Sequence, residues 1–463
     1  LLLPALLPAR QPASAPWDGG RSGAGADRRL LWVGVDAFTW TRANPLVRAG
    51  RMPHLADLMA RGSYDVLLSE ATFRRSVGTT GYWSPVVWTT LATGVGAERH
   101  GIDDFIIRPP PDDQGPESPR RRPRGRPASS FHRRVPAFWS LYSHFGRTVG
   151  VVGWWASWPA EPVRGVMASS NLGLRGRAGK QEDRRAAPAW QGERERLTFP
   201  PEFIEVIVRE IGLPDGAEDL LAEIGVPAAW SVADVERQAT IESVLWQDEL
   251  YLAIALRLLE RERPSLTAVY FEGIDAVSHG FWLAGEDPSR LTAAQRTVDP
   301  ARAAGVVDAT YAAFDRWLGR LLAAAGPETT VVLCSDHGFQ TIAEAGRLRA
   351  DHSGLGALLV AGPGIRAGFD GLGLPARLAG LLDGRPRVVD VLPTLLYLQG
   401  LPIADDLEGR VLARFLTRRL RAGQPQYRVA DYAAVQSPAV PATAPGEAEA
   451  EYRARLRALG YLD

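Results

Sequence analysis

Short runs of consecutive apolar residues alternate with amphipathic segments from residue 29 to about residue 400. The apolar runs are typical of strands that are buried on both faces of a sheet. The amphipathic segments repeat their apolar positions every three or four residues, which is typical of helices that pack against a sheet. This alternation predicts an α/β fold with a mainly parallel central sheet flanked by helices on both faces.

Glycine and proline positions set the bounds of the predicted elements. A helix is predicted over residues 83–94, because Pro85 suits a first helical turn and Gly94 suits a helix end. Further helices are predicted within 52–63, 136–146, 308–326 and 388–402. Strands are predicted within 29–36, 148–159, 266–275, 329–336 and 356–365.

The pattern predicts one α/β catalytic domain over residues 29–420, interrupted by two insertions. Residues 109–130 are rich in Pro, Arg and Ser and are predicted to be a mobile insertion, because they can bury little apolar surface. The basic residues there are either solvated or in contact with a phosphate or an anionic surface. Residues 172–245 are predicted to form a cap-like insertion, and residues 421–463 a linker and a short helix.

The first 28 residues have two interpretations. A Leu-rich run is followed by residues rich in Ala, Ser and Pro. This order is typical of the end of a signal peptide, which would imply an exported, periplasmic or extracellular protein. The alternative is a disordered leader, which would leave a cytoplasmic location open.

Composition narrows the function classes. The 463 residues include 53 Lys and Arg and 53 Asp and Glu, and this balance argues against a nucleic-acid-binding module. Cys334 is the single cysteine, so disulfides within the chain and zinc sites built from several cysteines are excluded. No run approaches the roughly 18 apolar residues of a membrane helix, so no integral membrane segment is expected.

Three separate predicted strands end in an acidic residue: Asp36, Asp275 and Asp336. The carboxyl ends of parallel strands share one edge of the sheet, and ligands bind at that edge. Each acid alone is most simply a helix N-cap. Three acids of this kind, two of them with histidines close by, indicate a common site.

Three histidines accompany these acids. His337 follows Asp336, His279 lies four residues after Asp275, and His352 lies in a Gly-rich loop before a strand. A helical turn starting at Asp275 would place Asp275 and His279 on one face. A single histidine is more often structural, but Asp and His together suit Zn²⁺, Mn²⁺ or a similar ion. Six ligands predict two ions roughly 4 Å apart, the arrangement used for displacement at phosphorus.

Ser84 is the candidate nucleophile. A position at the start of a helix offers backbone N–H groups and the positive end of the helix dipole, which favour an alkoxide and a bound phosphate. Position alone favours the simpler role of a helix cap. Thr89, Thr90 and Thr93 lie further into the same helix and are expected to be packing residues.

Five segments add specific information, in the order LLWVGVDAF, SPVVWTTLATGVGAERHGIDDF, YFEGIDAVSHGFW, VVLCSDHGF and HSGLGALLVAGPGI. Together they resemble the motifs of the alkaline phosphatase superfamily, in particular its type I phosphodiesterase/nucleotide pyrophosphatase branch. The resemblance extends from about residue 29 to residue 415, without the insertions. It implies a metal-dependent enzyme that acts on phosphate esters.

The resemblance also implies the role of each candidate residue. One ion is expected to bind to Asp36, Ser84, Asp336 and His337, with Ser84 also the nucleophile. The second is expected to bind to Asp275, His279 and His352. Two departures stand out. Asp103 and Asp104 follow the HGI motif where nucleotide pyrophosphatases place Asn, and the sulfatase signature Cys/Ser-x-Pro-x-Arg is missing at Ser84.

The expected function is two-metal hydrolysis of small phosphate esters, with phosphodiesters favoured, through a phosphoserine at Ser84. Alternatives on the same site are transfer of the phospho group to an alcohol acceptor and hydrolysis of phosphomonoesters or phosphonates. A non-catalytic binding protein would lack ligands, yet all seven positions are filled. Four tryptophans either line a substrate pocket or pack in the core: Trp83, Trp154, Trp155 and Trp158.

Overall fold

The computed structural model describes residues 10–17, 28–74, 79–108, 125–173, 194–226, 232–292, 303–373, 384–435 and 453. A nine-stranded sheet lies at its centre. The strands are β1 (Leu30–Val35), β2 (Gly62–Leu68), β3 (Val149–Val152), β4 (Gly165–Ala168), β5 (Thr198–Phe199), β6 (Leu266–Phe271), β7 (Thr330–Cys334), β8 (Leu355–Ala361) and β9 (Phe369–Asp370).

The sheet has the order β5-β4-β3-β6-β1-β7-β8-β2-β9. The central strand β1 is parallel to both of its neighbours, β6 and β7, and β3 and β4 continue the parallel arrangement. Two strands run the other way: β8, between β7 and β2, and the edge strand β5. The predicted α/β fold with a mainly parallel sheet is therefore confirmed, with β8 as an antiparallel member.

Helices flank this sheet. The longer ones are α1 (Trp40–Arg48), α2 (Pro53–Arg61), α3 (Ser84–Thr93), α4 (Phe138–His144), α5 (Val232–Arg257), α6 (Gly273–Phe281), α7 (Val306–Ala325) and α8 (Val391–Leu398). Shorter helical segments are Ala97–His100, Phe203–Val206, Glu218–Glu223 and Arg418–Gly423. Helix α3 has Pro85 in its first turn and ends at Gly94, whose φ of 70° is left-handed. Within the described ranges, none of the helices combines the length and the apolarity that crossing a membrane requires.

The two ends of the described chain meet in a small sheet. Ser14–Pro16 pairs in parallel with Gln426–Val429, which also pairs with Ile403–Ala404. Residues from the predicted leader and the predicted C-terminal linker thus contribute strands to the fold. The short helix predicted near residue 463 lies outside the described residues, apart from residue 453.

The predicted insertions are described only in part. Residues 109–124 lie outside the described ranges, whereas Arg126–Pro127 pairs with Ile106–Ile107, and Ser129 and Ser130 are buried. In the predicted cap-like insertion, residues 174–193 and 227–231 are not described. Helix α5 contacts β6 and α6, so this helix belongs to the core of the domain.

Large aromatic side chains fill the space beside β1. Trp32 and Trp154 are fully buried, with ring centroids 4.4 Å apart, and Trp88 packs edge-on against Trp154 at 5.1 Å. A β-carbon at Gly34 would lie 2.6 Å from the Trp88 ring, so glycine at this position makes room for the indole. Trp154 is thus a core residue and not part of a pocket.

Candidate metal centre

The acidic residues lie at neighbouring strand ends of the central sheet. Asp36 directly follows β1, and Asp336 lies two residues after β7. Strand β6 ends at Phe271, earlier than predicted, and the chain enters α6 at Gly273. Asp275 is therefore in the first turn of a helix and not at the end of a strand.

Helix α6 brings His279 beside Asp275. The Nε2 atom of His279 lies 3.5 Å from Oδ2 of Asp275, as expected for residues four apart on one helical face. His279 is the candidate residue nearest the surface, with 24% of its side chain exposed, whereas Asp275 is buried. The site therefore opens toward the surface at His279.

His352 is not in a loop, as the sequence predicts, but on a β-strand. Arg347–Ser353 pairs with Gly338–Glu344 in a hairpin that begins directly after His337. The hairpin returns the chain to its starting point, so the rings of His337 and His352 stack with centroids 3.8 Å apart. This hairpin joins the two predicted ligand groups.

The first group of ligand atoms surrounds Nε2 of His337. Oδ1 of Asp36 lies 3.2 Å from this nitrogen, Oδ2 of Asp336 lies 3.3 Å away, and Oγ of Ser84 lies 3.4 Å away. All four residues are at most 1% exposed. The four residues predicted to hold one ion are thus brought together.

The second group surrounds the carboxylate of Asp275. Oδ1 of Asp275 lies 3.3 Å from Nε2 of His352, and the Nε2 atoms of His279 and His352 are 3.0 Å apart. Ligands bound at 2.0–2.1 Å on a tetrahedron are separated by roughly 3.3 Å. Both groups show this spacing, with ligand atoms 3.0–3.5 Å apart.

The hydrogen bonds of the two stacked histidines direct their lone pairs into the site. Nδ1 of His337 donates to the carbonyl of Gly338, and Nδ1 of His352 donates to the carbonyl of Tyr82. The Nε2 lone pair of His337 then faces carboxylate oxygens of Asp36 and Asp336. Neither of those two oxygens accepts a hydrogen bond within the described part of the chain. Lone pairs that face one another in a buried site suit a bound cation, so the residues fit a metal.

The pKa values of these buried residues also favour a bound cation. Burial, followed by the charge of Asp275, raises the pKa of Asp36 to about 8. Burial and the charge of Asp36 raise the pKa of Asp336 well above its usual value. Burial also holds the pKa of His337 well below its usual value, so this imidazole is neutral. A cation between the carboxylates would remove the cost of ionising them together.

Ser84 begins helix α3, but it does not cap it. The N-cap residue is Trp83, whose carbonyl accepts the N–H groups of Val86 and Val87. Pro85 has no N–H, so in the first turn the N–H of Ser84 is the one that can face a bound anion. The sequence predicts several free backbone N–H groups beside Ser84. In the first turn of α3 the structure leaves one of them, the N–H of Ser84 itself, for a bound anion.

Three residues that support the ligands were not identified from the sequence. Tyr270 and Trp88 both donate to Oδ2 of Asp36. Asp248, on α5, accepts the N–H groups of Glu272 and Gly273 at the start of α6. Nothing in the sequence around these residues indicates a supporting role, because each acts through a contact between distant parts of the chain.

The structure thus defines an α/β protein whose central sheet carries two clusters of buried Asp and His side chains. The sequence profile described as type I phosphodiesterase/nucleotide pyrophosphatase matches residues 30–361. The chain belongs to this family. Metal dependence is typical of the family, and two clusters of buried side chains could hold an ion: Asp36 with Asp336 and His337, and Asp275 with His337 and His352.

A comparison with solved structures finds matches at low sequence identity and with TM-scores below 0.5, three of which follow. Phosphonoacetate hydrolase from Sinorhizobium meliloti, in complex with phosphonoformate, is 17% identical with a TM-score of 0.39; the match covers 73% of this chain and 62% of that one. Human ectonucleotide pyrophosphatase/phosphodiesterase 5 is 13% identical with a TM-score of 0.43, covering 84% of this chain and 100% of that one. Its murine counterpart in complex with AMP is 13% identical with a TM-score of 0.45, with the same coverage. A search of curated proteins found no match.

Proposed function

We propose that this chain hydrolyses phosphate esters, phosphodiesters in particular, through a phosphoserine at Ser84 in a site that holds two divalent cations. The family match supports the substrate class. The observation that carries the proposal is the position of the Ser84 hydroxyl, 3.4 Å from Nε2 of His337 and within a group of buried ligands. A hydroxyl with a purely structural role has no need of such neighbours.

The two cations are assigned to the two ligand groups. Asp36, Ser84, Asp336 and His337 would hold one, and Asp275, His279 and His352 the other. Oxygen and imidazole ligands without thiolate favour Zn²⁺, with Mn²⁺ as the alternative. When bound, such cations neutralise phosphate charge and lower the pKa of an attacking oxygen.

The residues of the chain then perform the reaction in two displacements. Oγ of Ser84 attacks phosphorus and loses its proton to solvent, the new O–P bond forms, and the ester bond on the opposite side breaks. The leaving alkoxide takes up a proton from solvent. Water then attacks the phosphoserine, so that phosphate or a phosphomonoester departs and the Ser84 hydroxyl is restored. The N–H of Ser84 would hold a phosphate oxygen in both displacements.

Substitution of the nucleophile tests this proposal. Ser84→Ala is expected to lower hydrolysis of bis(p-nitrophenyl) phosphate by at least about 10³-fold in metal-loaded protein. Ser84→Thr keeps the hydroxyl and is expected to retain measurable activity. Thr93→Val is the matched control, because the Thr93 hydroxyl lies on the same helix and donates to the carbonyl of Thr89.

Acid quenching during turnover gives a second readout. Mass spectrometry is expected to find a phosphopeptide that contains Ser84 in the wild-type protein and none in Ser84→Ala. Full activity of Ser84→Ala with both metals bound would show that another group attacks phosphorus.

A further inference from the structure

The two carboxylate oxygens of Asp36 have different surroundings. Oδ2 accepts a hydrogen bond of 2.6 Å from the Tyr270 hydroxyl and one of 3.1 Å from Nε1 of Trp88. Oδ1 faces Nε2 of His337 at 3.2 Å and accepts no hydrogen bond from the described residues. One oxygen is thus fully engaged by neutral donors, while the other faces the proposed metal site.

The two donors come from different elements that β1 holds together. Tyr270, on β6, is paired with Gly34 of β1, two residues before Asp36. Side chains two apart on a strand point to the same face, so the Trp88 indole lies over Gly34 and reaches Asp36. The rings of Trp88 and Tyr270 meet edge to face, with centroids 5.1 Å apart. Both rings are at most 2% exposed, so their positions are fixed by packing.

Trp88 also links this carboxylate to the candidate nucleophile. It lies four residues after Ser84 on helix α3, so Trp88 and Ser84 share one face of the helix. The hydrogen bond from Trp88 to Asp36 therefore ties the start of α3 to the end of β1. A shift of helix α3 would therefore move the Ser84 hydroxyl and at the same time strain the hydrogen bond from Trp88 to Asp36.

We propose that Tyr270 and Trp88 are positioning residues that make Asp36 a ligand through Oδ1 alone and fix its direction toward the Ser84 hydroxyl. This inference rests on the proposed function, because it concerns the same metal site. Both donors are neutral, so they stabilise the carboxylate without supplying a charge that competes with the cation. Without them, Oδ2 is free to rotate into the site or to bind the same ion.

Cobalt binding to the metal-free protein tests this inference directly. Tyr270→Phe removes the donor of the shorter bond and keeps the buried ring. It is expected to weaken Co²⁺ binding about 10-fold at one of two sites, because partners of metal ligands typically contribute 10- to 100-fold to affinity. Binding of the carboxylate through both oxygens raises the coordination number, so the visible absorption of Co²⁺ at that site is expected to lose intensity.

Tyr397→Phe is the matched control. Tyr397 is also buried, and its hydroxyl donates to the Gln424 carbonyl at 2.8 Å, far along the chain from the ligands. It is expected to leave both Co²⁺ affinities and the spectrum unchanged. If Tyr270→Phe does not fold, Trp88→Phe replaces it in the same titration and is expected to affect the same site.

The outcomes separate this inference from the proposed function. Wild-type protein that binds two Co²⁺ ions, together with a Tyr270→Phe variant of unchanged affinity and spectrum, would overturn the positioning role alone. Equal weakening by Tyr270→Phe and Tyr397→Phe would overturn it as well. Wild-type protein that binds no Co²⁺ would overturn the two-metal site itself.

Discussion

Asp248 allows a quantitative test of the contacts that hold α6, the helix that carries the proposed metal ligands Asp275 and His279. Its carboxylate is 1% exposed and accepts the N–H of Glu272 at 3.0 Å and that of Gly273 at 2.7 Å. These residues open α6, which carries Asp275 and His279. A β-carbon at Gly273 would lie 2.7 Å from Oδ2 of Asp248, so glycine permits the close approach.

Asp248→Ala is expected to destabilise the protein and displace this helix. A buried donor left without a partner costs about 1–3 kcal/mol. Two such donors give a loss of roughly 2–6 kcal/mol in the free energy of unfolding. Asp248→Asn keeps one acceptor oxygen and is expected to lose about half as much.

The assay is urea unfolding of the metal-free protein, followed by metal analysis of the folded, loaded protein. Asp315→Ala is a matched control, because Asp315 is a buried carboxylate that accepts the N–H groups of His54 and Leu55 at 3.1 and 2.8 Å. These residues begin α2, which carries none of the proposed ligands. Both variants are expected to lose similar stability, but only Asp248→Ala is expected to lose the second metal ion.

Two results would refute this reasoning. One is a change in stability below about 0.5 kcal/mol for Asp248→Ala, the range of ordinary surface substitutions. The other is loss of metal that is equal in Asp248→Ala and Asp315→Ala, which would make the effect one of general stability.

Three further predictions concern the metal dependence of hydrolysis, the pH dependence of stability and the acceptor of the phospho group. Prolonged chelation is expected to abolish hydrolysis and Zn²⁺ or Mn²⁺ to restore it; activity that survives complete metal removal would contradict the proposed chemistry. Burial lowers the pKa of His100 to about 3, so unfolding takes up a proton there between pH 6.5 and 3, and stability falls as the pH drops. His100→Gln is expected to remove about 1.4 kcal/mol per pH unit from that slope in urea unfolding, and an unchanged slope would show that folding does not lower the pKa of His100. Added methanol is expected to leave inorganic phosphate or the phosphomonoester as the main product, whereas a dominant methyl ester would favour the transferase alternative.

The sequence predicts those features that depend on local pattern. Apolar runs ending in Asp36 and Asp336 follow from the burial of β1 and β7 on both faces, and the parallel edge places the two acids together. The pairing of Asp275 with His279 follows from helical spacing alone. These features need no knowledge of distant contacts.

Other features depend on distant partners. Strand β2 escapes prediction because Asp65 interrupts its apolar pattern; this carboxylate is buried against Arg385 and Arg414, more than 300 residues away. The strand that carries His352 has mixed polarity, and its register is set by pairing with the preceding strand. Strand β8 runs antiparallel to both of its neighbours, β7 and β2. Nothing in its amino-acid composition indicates this direction.

The supporting residues are the hardest to predict for the same reason. Tyr270 belongs to an apolar strand and Trp88 to an apolar helix, where each is expected to be a core residue. Their polar atoms become significant only once β1, β6 and α3 meet at Asp36.

The central claim is that seven side chains hold two cations beside the Ser84 hydroxyl. Anomalous diffraction from crystals of zinc-loaded protein, recorded above and below the zinc absorption edge, measures this directly. Two peaks are expected roughly 4 Å apart. One should be bound by Asp36, Ser84, Asp336 and His337, and the other by Asp275, His279 and His352. A single peak, or peaks at other residues, would contradict the account.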